Sequence, residues 1–164
     1  MRNVLTDLLC NGLGYSAVAL AILRVLTGLF FVLSGYHKLT NANRHAFLVQ
    51  TLKDCRVPFV GVMQWFVPSV EFLGGLGVVF GFLTPLAAIG LVCVCTVATC
   101  TAGLKRIAKQ YVPIDRADYV DDVLYLPEVL YILMLLPFVA SGAGPFSLDY
   151  ALQQWLGLYH CIVG

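Results

Sequence analysis

Residues 67–81, VPSVEFLGGLGVVFG, hold a single carboxylate, Glu71, inside an apolar run in which four of the next ten residues are glycine. An ionisable side chain at membrane depth is costly, so it faces protein or a water-filled cavity and takes a partner. On a helix turning about 100° per residue, Gly74, Gly77 and Gly81 share one narrow face, with Glu71 and Gly75 at its edge. Small residues on one face let a second backbone come close, and Gly77 and Gly81 have the GxxxG spacing of helix contacts in lipid. The segment is therefore expected to be the inner helix of a membrane bundle with a buried acid in its contact face. The alternative for Glu71 is an ion pair, or a neutral hydrogen-bonded acid, that only holds the packing.

The rest of the chain suits that setting. Of its 164 residues 60% are hydrophobic and 12% charged, and the mean hydropathy is +0.86, whereas about a quarter of the residues of a soluble domain are charged. One all-α membrane domain over residues 1–164 is the expected organisation. A net charge of +1 gives no basis for nucleic-acid binding.

The apolar runs mark four spans, at about residues 16–36, 60–82, 86–104 and 123–140, each near the ~20 residues that a bilayer core requires. The first is expected to remain uncleaved, because the apolar run continues well past the weak signal at Ala17 and Ala19. Within it Arg24, Gly28, Phe31, Gly35 and Lys38 recur at i, i+4, i+7, i+11 and i+14 and so lie on one face. With antiparallel neighbours Arg24 and Glu71 are expected at similar depth, as an ion pair that offsets part of their desolvation; snorkelling of Arg24 to the nearer interface is the competing geometry. Lys38 and Glu128, near the same side, are either a second polar pair or two independent interfacial charges. The link from Gly81 to Pro85 is short enough to demand a hairpin, and Thr84-Pro85 reads as a hydroxyl N-cap followed by proline at the first helical position. Pro137 is expected to kink the fourth span.

Residues 37–58 read as a polar connection that includes a surface helix, with Phe47, Leu48, Thr51, Leu52 and Cys55 on its apolar side. Eight of the ten Lys and Arg residues fall in or beside this connection and the one at residues 105–122. By the positive-inside rule both connections face the cytoplasm, which leaves the termini and the hairpin turn outside. Trp155 and Tyr159 suit an interface.

Taken in order, LRVLTGLFFVLSGYHKL, VEFLGGLGVVFGFLTPLAA, LPEVLYILMLL and GAGPFSLD resemble the DoxX family of small four-span membrane proteins, over residues 23–149. The resemblance implies an integral membrane four-helix bundle of the bacterial inner membrane, and a link to quinone-dependent redox complexes as a subunit beside a partner protein. It carries the family's motif positions onto Arg24, Gly28, Ser34, Gly35, Lys38, Glu71, Gly74, Gly75, Glu128, Gly142, Gly144, Ser147 and Asp149 without making any of them catalytic.

His37, His45 and His160 lie at or beyond the span ends, so intrinsic haem is not expected. No cysteines have C-x-x-C spacing, and Cys93 and Cys100 stand about 10 Å apart along a helix, too far to bridge. Cys10 and Cys161 would share an oxidising compartment and could pair. No metal is expected. A redox role would then rest on a bound quinone or on partner subunits. Arg24, Ser34, Lys38, Glu71 and Glu128 could supply polar groups to a quinone head, with Phe31 and Tyr36 as apolar wall and Glu71 as candidate proton carrier. Two other classes stand beside this one: a scaffold or assembly factor whose polar pairs fix the bundle, and a carrier of small lipophilic molecules or protons. The glycine faces also leave a homo-oligomer open.

Overall fold

A computed structural model describes residues 16–110 and 116–155, and all the regular structure among them is helical. The possible Cys10–Cys161 pair lies outside the described residues. Helix α1 is Ser16–Thr40, and its buried residues are Arg24, Gly28, Phe31 and Gly35 of the predicted face together with Thr27, while Lys38, the fifth residue of that face, is partly exposed. Helix α2, Ala42–Asp54, starts at Asn41, whose side chain accepts from the Asn43 backbone N–H at 3.0 Å and so caps the first turn. Helices α3, Val60–Phe80, and α4, Thr84–Ala98, make the expected hairpin. Gly81 adopts φ +69, Phe82 N–H donates to Gly77 O and Gly81 N–H to Val78 O. That is the Schellman pattern, and its left-handed residue favours glycine.

Helix α4 runs on through a π-helical turn, Thr99–Gly103, into α5, Leu104–Gln110, which gives a continuous apolar stretch Thr84–Ile107. Helix α6 is Arg116–Leu124, α7 is Pro127–Ser141 and α8 is Leu148–Trp155. α1, α3 and the α4–α5 stretch are each long and apolar enough to cross a membrane, and α6 with α7, bent by 64° at their break, together match the length and apolarity of a fourth, broken span or of a re-entrant loop. The break does not fall at Pro137, which α7 runs through. It falls before Pro127, where Leu126 is extended (φ −63, ψ 128), as the steric demand of a following proline requires.

In space α1 lies on α3, α3 on α4, α4 on α7, and α7 returns to α1 through Tyr131, whose ring stacks on Phe30 at 4.0 Å. Phe31, Val78, Leu91, Cys95, Leu135 and Phe138 form the buried core. Only 22% of the apolar stretch of each long span is buried, and side chains such as Ile22, Leu26, Leu33, Leu73 and Leu86 are exposed. So apolar a surface belongs to a bundle solvated by lipid.

The glycines fix the register of α1 on α3. A methyl group on Gly28 would stand 2.8 Å from Val79 N and 2.9 Å from Gly75 O, and one on Gly35 would stand 2.6 Å from Phe72 N. The backbones touch there, and no other side chain fits without a shift. The other glycine edge of α3 serves α4: Gly74 meets Leu91 and Gly77 meets Ala87. What the sequence presents as one small-residue stripe is thus two contact faces.

Candidate functional site

This register decides which charges meet. With Gly28 opposite 75–79 and Gly35 opposite 68–72, Glu71 lies level with Ser34 and Lys38, while Arg24 lies level with Gly81. Lys38 Nζ donates to both carboxylate oxygens of Glu71, at 2.7 and 2.6 Å, and Ser34 Oγ donates to Oε2 at 3.1 Å. The Glu71 side chain is 8% exposed and that of Lys38 27%. A buried carboxylate with three donated hydrogen bonds is a satisfied anion.

The expected Arg24–Glu71 pair is therefore corrected. Arg24 is 14 positions from Lys38 in the same helix, about 21 Å along the axis, and works at the other end of the bundle. Its guanidinium donates to the main-chain oxygens of Ala143 and Phe146 in the segment between α7 and α8, and a side chain on Gly81 would collide with it and with Ser147. Asp149 completes this clasp. Its carboxylate accepts from Leu83 N–H at 2.8 Å and Thr84 N–H at 3.0 Å, its own N–H donates to Gly81 O, and Thr84 Oγ1 donates to it at 3.2 Å. The N-terminus of α4 is thus capped by Asp149 from 65 positions away, with Leu83 in the cap position, in place of the local Thr84 cap. An acid there also faces the positive end of the helix.

The Lys38–Glu128 pair is likewise replaced. Glu128 Oε1 takes Arg106 at 3.4 Å, and Glu128 Oε2 is buried with no hydrogen-bond partner.

Beside the Lys38–Glu71 pair lies a cavity of about 250 Å³ between α2 and the spans. Leu48, Thr51 and Leu52 of α2 close one side, which gives the surface helix its inward face, although Phe47 is exposed. Met63, Phe66 and Val67 of α3 and Cys93, Val97 and Thr101 of the third span close the others. The π turn bulges along this wall, a distortion common at functional sites. Thr101 Oγ1 donates to Val97 O at 2.7 Å, so its hydroxyl is returned to the helix and the wall stays mostly apolar. The arrangement is an apolar chamber with one charged corner, the makeup of a site for a small ligand with a polar end.

Of the residues read as pocket candidates, Glu71 and Lys38 line the chamber and Ser34 holds Glu71. Phe31 does not line it and is packed in the core at 3% exposure, edge-on to Tyr131. Tyr36 is half exposed on the outer surface, and Arg24 and Glu128 are engaged elsewhere. Sequence reasoning overlooked the third-span wall, although Cys93, Val97 and Thr101 recur at i, i+4 and i+8. Neither Met63, Phe66 nor the return of α2 over the spans carries a signal in the sequence.

The family described as DoxX matches residues 19–104. The chain is also similar to the inner membrane protein YqjF of Escherichia coli (strain K12), with 27% identity over 137 residues, 84% of this chain and 94% of the relative. No solved structure matches it.

Proposed function

This chain belongs to the DoxX family, and on that premise we propose that it is a small multi-pass subunit of the inner membrane that holds a quinone head group for a membrane redox complex. The similarity to an inner membrane protein supports the location. The observation that carries the ligand reading is the Lys38–Glu71 pair on the wall of the apolar chamber.

The donor set fits such a group. A quinone, when bound, supplies a two-electron, two-proton carrier. Lys38 has an ammonium with three donors on a flexible stem, and it can turn part of its hydrogen bonding from Glu71 to a carbonyl oxygen. Glu71 keeps that cation in place and can take or give a proton at its carboxylate. Val97, Phe66 and Leu52 exclude water and accept a ring. Partner subunits would exchange the electrons.

Gentle purification at native expression, with mass spectrometry of co-eluting proteins and extracted quinones, tests this reading. Stoichiometric quinone that disappears in Glu71→Gln and Lys38→Gln and persists in Tyr36→Phe is the expected result. A ligand-free protein held only by another membrane subunit would favour a scaffold, and saturable uptake of a lipophilic compound into proteoliposomes would favour a carrier. Both connections rich in Lys and Arg lie at one end of the bundle, where Lys105 Nζ donates to Asp54 O at 3.1 Å. The positive-inside rule puts that end in the cytoplasm and the termini in the periplasm.

A further inference from the structure

We infer that the chamber takes a quinone with a long polyprenyl tail, and that this tail lies in an open groove along the seam of α3 and α4, through which the molecule enters sideways from the lipid. The inference rests on reading the chamber as the site of the quinone head, and adds where the rest of the ligand goes. The groove has a volume of about 520 Å³ and is lined by Val70, Gly74 and Gly77 of α3 and by Ala87 and Gly90 of α4. Phe66 borders both the groove and the chamber. The two hollows also follow one line on each helix. On the third span Ala87, Gly90, Val94, Val97 and Thr101 step by three or four residues, the first two in the groove and the last three in the chamber. On α3 the same steps lead from Gly77 through Gly74 and Val70 to Phe66, and on to Met63 in the chamber. The groove therefore continues the chamber along one seam, and from Met63 to Gly77 the line covers 14 residues, about 21 Å.

The chemistry of the walls decides what part of a ligand each hollow holds. The charged corner, Lys38 and Glu71, belongs to the chamber, and no ionisable side chain lines the groove. The rim of the groove faces lipid, since Leu73 and Leu86 are each 66% exposed. A tail laid there runs from the polar corner into the membrane interior over apolar surface throughout. The chamber wall made by α2 offers no such path, because that helix carries Arg44, Lys53 and Asp54 on its exposed side. Gly90 adds a signal of its own. Gly74 and Gly77 are needed by the packing of α3 on α4, where a methyl group would stand 3.1 Å from Leu91 and 3.0 Å from Ala87. A methyl group on Gly90 would meet Val70 Cγ1 at 3.7 Å, an ordinary contact. Packing does not demand a glycine at 90, and a helix interior disfavours one relative to alanine. What Gly90 does is leave the seam bare between Ala87 and Val94, where the groove joins the chamber.

The test uses the full chain in lipid nanodiscs and a benzoquinone whose polyprenyl tail ends in a photoreactive diazirine. Labelling should fall on residues 69–90, should be competed by the untagged quinone, and should drop by about tenfold in Gly90→Leu, which fills the groove. The same head without a tail should still be retained by Gly90→Leu and be lost in Lys38→Gln. Should Gly90→Leu fail to fold, the labelling map of the unaltered chain decides. Label spread evenly over the lipid-facing helices, labelling unchanged in Gly90→Leu, or equal competition by a fatty acid overturns the tail site, the last because the groove would then hold any lipid chain. If the tail-less quinone is retained while the tagged one labels elsewhere, the tail path fails and the head site stands. If neither quinone is retained, both readings fail together.

Discussion

Lys38 Nζ stands 2.7 and 2.6 Å from the two carboxylate oxygens of Glu71, tying the last turn of α1 to the middle of α3. Its two ends are not equivalent, because the lysine side chain is 27% exposed and the glutamate 8%. Lys38→Gln strands a buried carboxylate and should cost about 3 kcal/mol or more, whereas Glu71→Gln leaves a cation that can swing toward water and should cost less. The double variant should lose less than the sum. Melting temperatures in detergent check the order, and equal losses from the two single changes would contradict it.

The glycine contacts make a sharper test of the packing. A methyl group on Gly75 would stand 2.7 Å from Val32 N and 2.9 Å from Gly28 O, whereas one on Gly61 meets nothing within 4 Å. Gly75→Ala has to push α1 off α3 and should destabilise by about 1–3 kcal/mol. Gly61→Ala, in the same helix, should be neutral or should gain up to about 1 kcal/mol from helix propensity. Thermal unfolding of the two variants side by side reads the difference.

Fold class and the inward face of α1 were legible in the sequence because both are local: apolar runs of bilayer length and a repeat of Arg24, Gly28, Phe31 and Gly35 are properties of one helix. The pairing of charges was not. It depends on how far α3 slides along α1, and that offset is set by backbone contacts at Gly28, Gly35 and Gly75, which a helical wheel cannot measure. A slide of about four turns would put Arg24 in the place of Lys38 as the partner of Glu71. The resemblance marks Asp149 as a motif position but not its role, since a cap supplied from 65 positions away leaves no mark near Thr84. The fourth-span break was misplaced because two prolines competed, and Pro127 opens a helix where Pro137 is tolerated inside one.

The clasp at the other end predicts a local effect. Asp149→Ala removes the acceptor for Leu83 N–H and Thr84 N–H, at a cost of about 1 kcal/mol. The segment between α7 and α8 would then be held by Arg24 and by the single main-chain bond from residue 149 to Gly81 O. Limited proteolysis should cut residues 142–155 faster while the spans stay protected. An unchanged cutting rate would mean that Arg24 and this main-chain bond suffice.

Orientation is open to a direct check. Because Lys105 reaches the end of α2 at Asp54, the two basic connections must lie on one side, and the turn at Phe82, between two spans, on the other. In a chain whose six native cysteines are replaced, Arg44→Cys and Lys105→Cys should resist a membrane-impermeant maleimide applied to intact cells, and Phe82→Cys should react. The physical reason is the cost of moving short, Lys- and Arg-rich segments across the membrane, which outweighs any pull from Arg2 alone. Labelling of Arg44→Cys from outside would invert the topology and put both basic connections in the periplasm.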